Sequence, residues 1–152
     1  MAVAVGKSVP EFTAACTGGE FRLSAHRGSK VVLYFYPKDD TPGCTREACS
    51  FQESLPLFTG AGVVVLGVSR DGAAAHQRFR QKYSLAFPLL TDADGAVHRA
   101  YGAWGEKLMY GKKIEGVIRT TVLIGADGKV LRVFAPVKVD GHTDAVLAAL
   151  AG

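Results

Sequence analysis

The arrangement of apolar residues along the chain predicts a β-sheet with helices between its strands. Residues 31–36 (VVLYFY) and 63–69 (VVVLGVS) are continuous apolar runs bounded by turn residues. Runs of this kind are typical of strands that are covered on both faces of a sheet. Two pairs of shorter runs are separated by glycine-containing turns and predict hairpins: 12–16 with 21–24 around TGGE, and 120–125 with 129–135 around ADG.

Helical segments are predicted between these strands. Pro56 cannot sit in an unbroken helix without cost, so we expect the first helix to break or restart near Ser54. The last helix closes the chain, and its apolar residues fall on one helical face. The four segments predicted to be helical are 42–53, 72–84, 97–102 and 142–150.

The order of these elements predicts an α/β chain with a thioredoxin-like fold. The two long strands joined by helix 42–53 form a right-handed βαβ unit, and the last hairpin adds antiparallel strands. The result is a central mixed β-sheet flanked by helices, with the first hairpin as an N-terminal extension. At 152 residues the chain has the length of one domain, and we expect a single domain over residues 1–152.

Composition excludes several classes of function. Lys and Arg number 18 against 14 Asp and Glu, and the net charge of +4 is spread along the chain, so we expect no nucleic-acid binding. No run approaches the ~20 apolar residues of a membrane span. The start, MAVAVGKSVP, lacks the apolar core of a secretory signal. We therefore expect a cytoplasmic protein without a membrane partner, in which a disulfide is more often catalytic than structural.

The segment YFYPKDDTPGCTREACSF at 34–51 carries the candidate chemistry. Pro37 ends the preceding strand, and Thr41 followed by Pro42 is a favourable helix start. Cys44 is then the third helical residue. Its sulfur lies near free backbone N–H groups and the positive end of the helix dipole, which favour the thiolate. We interpret Cys44 as a nucleophile, because its neighbours are polar rather than those of a buried structural cysteine.

In an intact helix, Cys49 is too far from Cys44 for a disulfide to join them. Five helical residues rise about 7.5 Å and turn by about 140°, which puts the two Cα atoms about 8.7 Å apart. A disulfide needs about 4.4–6.8 Å. Cys44 and Cys49 therefore either never bond, or bond only when the first helical turns unwind. The spacing also differs from CxxC, which argues against an ordinary thioredoxin-type disulfide oxidoreductase.

Zinc binding is another use of paired cysteines. The four histidines at 26, 76, 98 and 142 are scattered singly, and no second pair has ligand spacing, so we expect no metal. Cys16 falls in a predicted strand, and we interpret it as a small hydrophobe without a redox role.

Pro37, Thr41 and Cys44 match the string Pro-x-x-x-Thr-x-x-Cys, and in this the chain resembles the peroxiredoxins. The longer string YFYPKDDTPGCTREAC resembles the PrxQ subfamily, also called bacterioferritin comigratory proteins, whose resolving cysteine lies five residues after the peroxidatic one. The sequence departs from the common string at Asp40, where Asn is frequent, and we expect the extra negative charge to oppose thiolate formation slightly. Further strings match in order: VVVLGVSRD (63–71), FPLLTD (87–92), YGAWGEK (101–107) and GVIRTTVLIGADGKV (116–130).

The resemblance implies a thiol peroxidase that reduces hydrogen peroxide and organic hydroperoxides in antioxidant defence, without a cofactor. Cys44 would attack the peroxide, and Cys49 would convert the resulting sulfenic acid to an intramolecular disulfide. Thr41 would position the peroxide and Pro37 would shield the site from water. Arg119 would hold the thiolate and the peroxide oxygens. Thioredoxin, or a glutaredoxin, would reduce the disulfide, and the resemblance favours a monomer.

Each of these roles has an alternative in the sequence alone. Arg119 is compatible with an exposed position on an edge strand, and Thr41 with a helix cap only. Glu47, one turn after Cys44, is compatible with a purely electrostatic contribution to the helix start. A redox sensor or chaperone of the same fold would need the reactive cysteine but no groups that position a peroxide. The set of Pro37, Thr41 and Arg119 therefore favours the peroxidase.

Overall fold

A computed structural model describes residues 3–17 and 19–151. In this part of the chain the strands are β1 (Thr13–Cys16), β2 (Gly19–Arg22), β3 (Lys30–Phe35), β4 (Val63–Ser69), β5 (Leu89–Thr91), β6 (Trp104–Met109), β7 (Lys112–Val117), β8 (Thr120–Ile124) and β9 (Val130–Phe134). The helices are α1 (Pro42–Glu53), α2 (Leu55–Gly60), α3 (Ala73–Tyr83), α4 (Ala96–Ala100) and α5 (His142–Ala151), and a 3-10 helix spans Leu23–His26.

Seven of the described strands form one mixed sheet in the order β2-β1-β5-β4-β3-β8-β9. The central pairs β3–β4 and β4–β5 are parallel, whereas β8 joins β3 and β9 joins β8 in antiparallel fashion. The hairpin β1–β2 is attached to the sheet through an antiparallel pairing of β1 with β5. The predicted mixed sheet with an N-terminal hairpin extension is therefore confirmed. Strands β6 and β7 form a separate two-stranded ribbon.

The two faces of the large sheet each carry an apolar core. Because successive side chains of a strand point to opposite faces, Val31, Leu33 and Phe35 of β3 enter one core, whereas Val32 and Tyr34 enter the other. Both faces are covered, which explains why β3 is a continuous apolar run. Cys44 belongs to the core that the helices α1, α2, α3 and α5 cover. The helical side chains that fill this core are all buried: Ala48, Phe51, Phe58, Phe79 and Val146.

Most predicted elements are present to within one or two residues. The helix predicted over 42–53 is α1, and the predicted break falls at Ser54, between α1 and α2. The prediction of a strand over 21–24 is wrong for its last two residues, because β2 ends at Arg22 and a 3-10 helix begins at Leu23. The Ser24 N–H donates to the Glu11 carboxylate at 3.1 Å instead of to a neighbouring strand. Residue 18 of the TGGE turn lies outside the described residues.

The sequence pattern does not predict β5, β6 or β7. Strand β5 has only three residues and directly follows Pro88, so its apolar run is too short to separate from a loop. The first four residues of β7, Lys112–Glu115, are all exposed, so the ribbon lacks an alternating apolar face. None of the helices in the described ranges is both long enough and apolar enough to cross a membrane.

Candidate active site

The chain enters α1 as the Thr-Pro pair predicts. Thr41 is the N-cap residue with an extended backbone (φ −98°, ψ 156°), Pro42 is the first helical residue and Cys44 is the third. The predicted hydroxyl cap is wrong, because the Thr41 hydroxyl donates to the Lys38 carbonyl oxygen at 2.9 Å. The Thr41 oxygen therefore retains acceptor capacity for a ligand. Pro37 is exposed at the start of the same loop.

Arg119 brings a cation to the sulfur of Cys44. It lies in the short connection between β7 and β8, and its Nη2 donates to Cys44 Sγ at 3.4 Å. Cys44 is 2% exposed and the Arg119 side chain 18%, so water would screen a thiolate from the guanidinium only weakly. Gly43 leaves room for this approach, since a Cβ at that position would lie 3.3 Å from Nη2. The alternative of an exposed edge-strand arginine is excluded.

Glu47 holds the other arm of the same guanidinium. Its Oε1 accepts from Arg119 Nη1 at 2.5 Å, and no group in the described ranges forms a hydrogen bond with its buried Oε2. Burial raises the pKa of Glu47 to about 7, although the charge and hydrogen bond of Arg119 oppose the rise. Glu47 thus does more than favour the helix start, because it orients Arg119 and can bind a proton near neutral pH.

The charge of Asp40 is directed away from α1. Asp40 has a left-handed backbone conformation (φ 57°), which Asn and Asp adopt more readily than most residues. Its carboxylate accepts from Lys82 and from the Tyr83 hydroxyl on α3, both at 2.9 Å. Because this charge is paired with Lys82, the effect that we expected it to have on Cys44 is weakened.

Cys49 lies in the same unbroken helix as Cys44, and both are free thiols. Burial raises the pKa of the partly buried Cys49 thiol. With α1 intact, helix geometry keeps the two Cα atoms about 8.7 Å apart, beyond the reach of a disulfide. Two residues further on, Phe51 is fully buried and stacks on Tyr34 with ring centroids 4.6 Å apart. The helix is therefore anchored just beyond Cys49.

Two polar contacts join α1 to the region around the start of α5. The hydroxyls of Ser50 and Thr143 form a hydrogen bond of 2.7 Å. Arg46 Nη1 lies 2.7 Å from Asp140 Oδ1, and both of these side chains are mostly exposed. Arg46 lies between the two cysteines of α1, and Ser50 directly follows Cys49. Both contacts therefore hold the part of α1 that contains the cysteines.

Cys16 is remote from this site. It ends β1 as predicted and packs against the core on the sheet face opposite Cys44. It also lines an open pocket of about 470 Å³ beside α3, next to Arg80 and Gln77. Burial raises the pKa of its thiol, and the Arg80 charge partly opposes the rise.

Residues that sequence reasoning missed surround the loop between β3 and α1. Asp39, between Pro37 and Thr41, is buried and accepts from the Tyr36 hydroxyl and from His76 of α3. His76 has no signal in the sequence, because a single histidine in a helical segment is compatible with an exposed position. Its burial follows only from the packing of α3 on the sheet.

The chain is similar to known proteins over nearly its whole length. Residues 5–133 match the AhpC/TSA family. A putative peroxiredoxin bcp of Coxiella burnetii is 49% identical over 151 residues, which cover 99% of this chain and 100% of the relative.

Two solved structures resemble the fold closely. PrxQ of Xylella fastidiosa has a TM-score of 0.93 at 35% identity, covering 99% of this chain and 97% of its own. The bacterioferritin comigratory protein of Xanthomonas campestris, studied for alkyl peroxide reduction in trapped intermediate and ligand complexes, has a TM-score of 0.91 at 44% identity. That match covers 97% of this chain and 98% of the other. The predicted thioredoxin-like fold is confirmed by this similarity.

Proposed function

Because this chain belongs to the AhpC/TSA family and is a thiol-dependent peroxidase of the peroxiredoxin type, we propose that Cys44 is the residue that reduces the peroxide. This assignment is supported by the position of the Arg119 guanidinium, which contacts both Cys44 Sγ and the Glu47 carboxylate. A cation held in this way stabilises a thiolate and the negative charge that develops on a peroxide oxygen.

In the first step the Cys44 thiolate attacks the terminal oxygen of the hydroperoxide. The O–O bond breaks, Cys44 becomes a sulfenic acid, and the remaining oxygen leaves as an alcohol or water after taking a proton from solvent. Sulfur is oxidised by two electrons and the peroxide is reduced by the same two. The backbone N–H groups of Gly43 and Cys44 at the start of α1 add to the stabilisation of charge on the oxygens.

Thr41 and Pro37 complete the peroxide site in this proposal. Since the Thr41 hydroxyl proton is donated to the Lys38 carbonyl, its oxygen would accept a hydrogen bond from the hydroperoxide O–H. Pro37 offers no N–H and stands at the exposed start of the loop, where its ring limits the approach of water.

Cys49 is proposed as the resolving cysteine. Its thiolate attacks the sulfenic sulfur of Cys44, the S–O bond breaks, and a disulfide forms while the leaving hydroxide takes a proton from solvent to become water. Because helix geometry separates the two residues beyond the reach of a disulfide, the first turns of α1 must unwind for this step. The buried Phe51 limits the unwinding to the stretch before it.

The proposed reductant follows from the accessibility of the disulfide, and the proposed substrates follow from the similarity to the Xanthomonas campestris protein. A disulfide brought to the surface by unwinding is accessible to a dithiol protein, and we propose thioredoxin, or a glutaredoxin, as its reductant. The similar Xanthomonas campestris protein has been studied for alkyl peroxide reduction, so we propose alkyl hydroperoxides beside hydrogen peroxide as substrates of this chain, which would act as a monomer.

The test is a mass and peptide map of the reduced protein after one equivalent of hydrogen peroxide. We expect the loss of two hydrogens, with the peptides of Cys44 and Cys49 linked. The Cys16→Ser variant is the matched control and should give the same linkage. An unchanged mass with a free thiol at Cys44 would contradict the proposal.

The Cys49→Ser variant separates the two cysteine roles. It should still consume the first equivalent of peroxide at Cys44, but it should form no intramolecular disulfide. If this variant leaves the first equivalent unreacted, the nucleophile and the resolving residue have been assigned in the wrong order.

A further inference from the structure

A buried histidine on α3 holds the loop that precedes Cys44. The side chains of His76 and Asp39 are 1% and 4% exposed, and His76 Nδ1 lies 2.6 Å from Asp39 Oδ2. On its other side, His76 Nε2 lies 3.0 Å from the Leu90 carbonyl oxygen. Asp39 Oδ1 accepts from the Tyr36 hydroxyl at 2.5 Å. The pair thus joins α3 and β5 to the loop between β3 and α1.

The hydrogen-bond partners occupy both nitrogens of the His76 ring. A carbonyl oxygen only accepts, so Nε2 of His76 carries a hydrogen toward Leu90. Nδ1 lies within hydrogen-bond distance of the Asp39 carboxylate. Both ring nitrogens therefore have a partner, which is what a fully buried polar side chain requires.

Hydrogen bonds attach the loop to α3 and to the segment just before α3. Asp39 is held by His76, its N–H donates to Asp71 at 2.9 Å, and the next residue, Asp40, contacts Lys82 at 2.9 Å. Thr41 follows directly. The sulfur of Cys44, by contrast, is placed by α1 and by Arg119.

We propose that His76 is a positioning residue for peroxide reduction: through Asp39 it fixes the loop that carries Pro37 and Thr41. The proposal rests on the proposed roles of Cys44 and Thr41. Its consequence is that losing the His76–Asp39 bond impairs the reaction with peroxide, which needs the loop. The reaction of Cys44 with a simple alkylating agent, which needs only the thiolate, is preserved.

Two substitutions divide the bonds of His76. His76→Asn retains a donor at the place of Nδ1, so it can still bond Asp39. His76→Gln retains a donor near the place of Nε2, so it can still bond the Leu90 carbonyl but loses Asp39. A displacement of about 1 Å at a reacting group can cost about 100-fold in rate. We expect His76→Gln to lose about that much in its rate with peroxide, and His76→Asn to stay within a fewfold of the native rate.

The experiment measures two second-order rate constants at Cys44 in the reduced full chain. One is for hydrogen peroxide and the other for iodoacetamide, both followed by the mass of the Cys44 peptide. For His76→Gln we expect the peroxide rate to fall about 100-fold while the iodoacetamide rate changes less than about threefold. Equal losses in both rates, or no loss in either, would overturn the proposal.

His98 provides the matched control. It is also fully buried, and its Nδ1 lies 2.6 Å from Asp92 Oδ2. This pair caps α4 through the N–H groups of Val97 and His98, and within the described part of the chain it forms no hydrogen bond to the loop before Cys44. His98→Gln should lower stability but leave the ratio of the two rates at the native value. A ratio that falls as in His76→Gln would show a general effect of breaking a buried pair and would overturn the proposal.

The two rates distinguish a failure of the proposed function from a failure of the role proposed for His76. If native Cys44 reacts with peroxide no faster than an ordinary thiol, the proposed function fails, whereas a fast native rate that His76→Gln leaves unchanged overturns only the role of His76. Should His76→Gln not fold, Asp39→Ala decides, because it removes the same His76–Asp39 bond from the side of the loop. A selective fall in its peroxide rate supports the proposal, and an unchanged rate overturns it.

Discussion

Glu47 gives the free energy of unfolding a pH dependence that the Glu47→Gln substitution should remove. The glutamine keeps an oxygen that can accept from Arg119, and it has nearly the same shape as glutamate. It cannot ionise, however. The comparison of the two proteins therefore isolates the protonation of one buried carboxyl group.

The magnitude and sign follow from the structure. Burial raises the pKa of Glu47 from its ordinary 4.5 to about 7, with Arg119 opposing the rise. Between these two pH values the folded chain holds a proton that the unfolded chain releases, so the free energy of unfolding falls as the pH rises. A tenfold change in proton binding corresponds to about 1.4 kcal/mol. The full contribution, present below pH 4.5 and lost above pH 7, is then about 3 kcal/mol.

His142 at the start of α5 gives a control with the opposite sign. Burial lowers its pKa from 6.5 to about 4, and the Arg119 charge adds to the effect. Here the unfolded chain binds the additional proton, so the free energy of unfolding rises with pH across that window. The two groups partly cancel in the native protein. We expect His142→Gln to remove the rise and Glu47→Gln to remove the fall.

The assay is urea denaturation of the reduced proteins at several pH values between 4 and 8, analysed by linear extrapolation. The free energy of Glu47→Gln minus that of the native chain should increase by about 3 kcal/mol from pH 4.5 to pH 8. A difference that stays constant to within about 1 kcal/mol, or decreases, would refute the argument. It would mean that the pairing with Arg119 outweighs the burial of the carboxylate.

Three further outcomes are expected. Arg119→Lys keeps the charge but cannot contact Cys44 and Glu47 together. Its peroxide rate should fall about 10- to 100-fold, the equivalent of one lost hydrogen bond to a charged group, and a native rate would show that charge alone suffices. Gly43→Ala should raise helix stability by up to ~1 kcal/mol, yet slow the peroxide reaction because the added Cβ displaces the Arg119 guanidinium. A faster reaction would contradict this close contact between Cβ and Arg119. Oxidation should abolish amide-exchange protection over residues 42–50, and equal protection in both redox states would exclude unwinding.

The sequence predicts elements well where burial leaves a simple pattern. Strands β3 and β4 are covered on both faces and are continuous apolar runs, and α1 begins with a Thr-Pro pair and ends where Pro56 requires a break. The β6–β7 ribbon has exposed residues along much of its length and therefore no periodic apolar face. Its absence from the prediction reflects this physical difference.

The sequence predicts those parts of the candidate site that depend on neighbouring residues, but not the contacts between residues far apart in the chain. The place of Cys44 near the start of α1 depends only on residues 41–44, and the sequence predicts it. The contact of Arg119 with Cys44 joins positions 75 residues apart, and only the resemblance to a known family indicates it. The buried pair of His76 and Asp39 joins helix α3 to a loop and has neither a local pattern nor a motif.

The contact between Arg46 and Asp140 makes the protein a scaffold for an optical redox sensor. Both side chains are mostly exposed, and exposed ion pairs contribute at most ~1 kcal/mol, so dyes can replace them at little cost. If α1 unwinds between its cysteines on oxidation, position 46 leaves its place beside position 140 while the sheet beneath stays intact. A fluorophore and a contact quencher at these two positions, attached without thiol chemistry, would brighten when peroxide separates them and dim again on reduction.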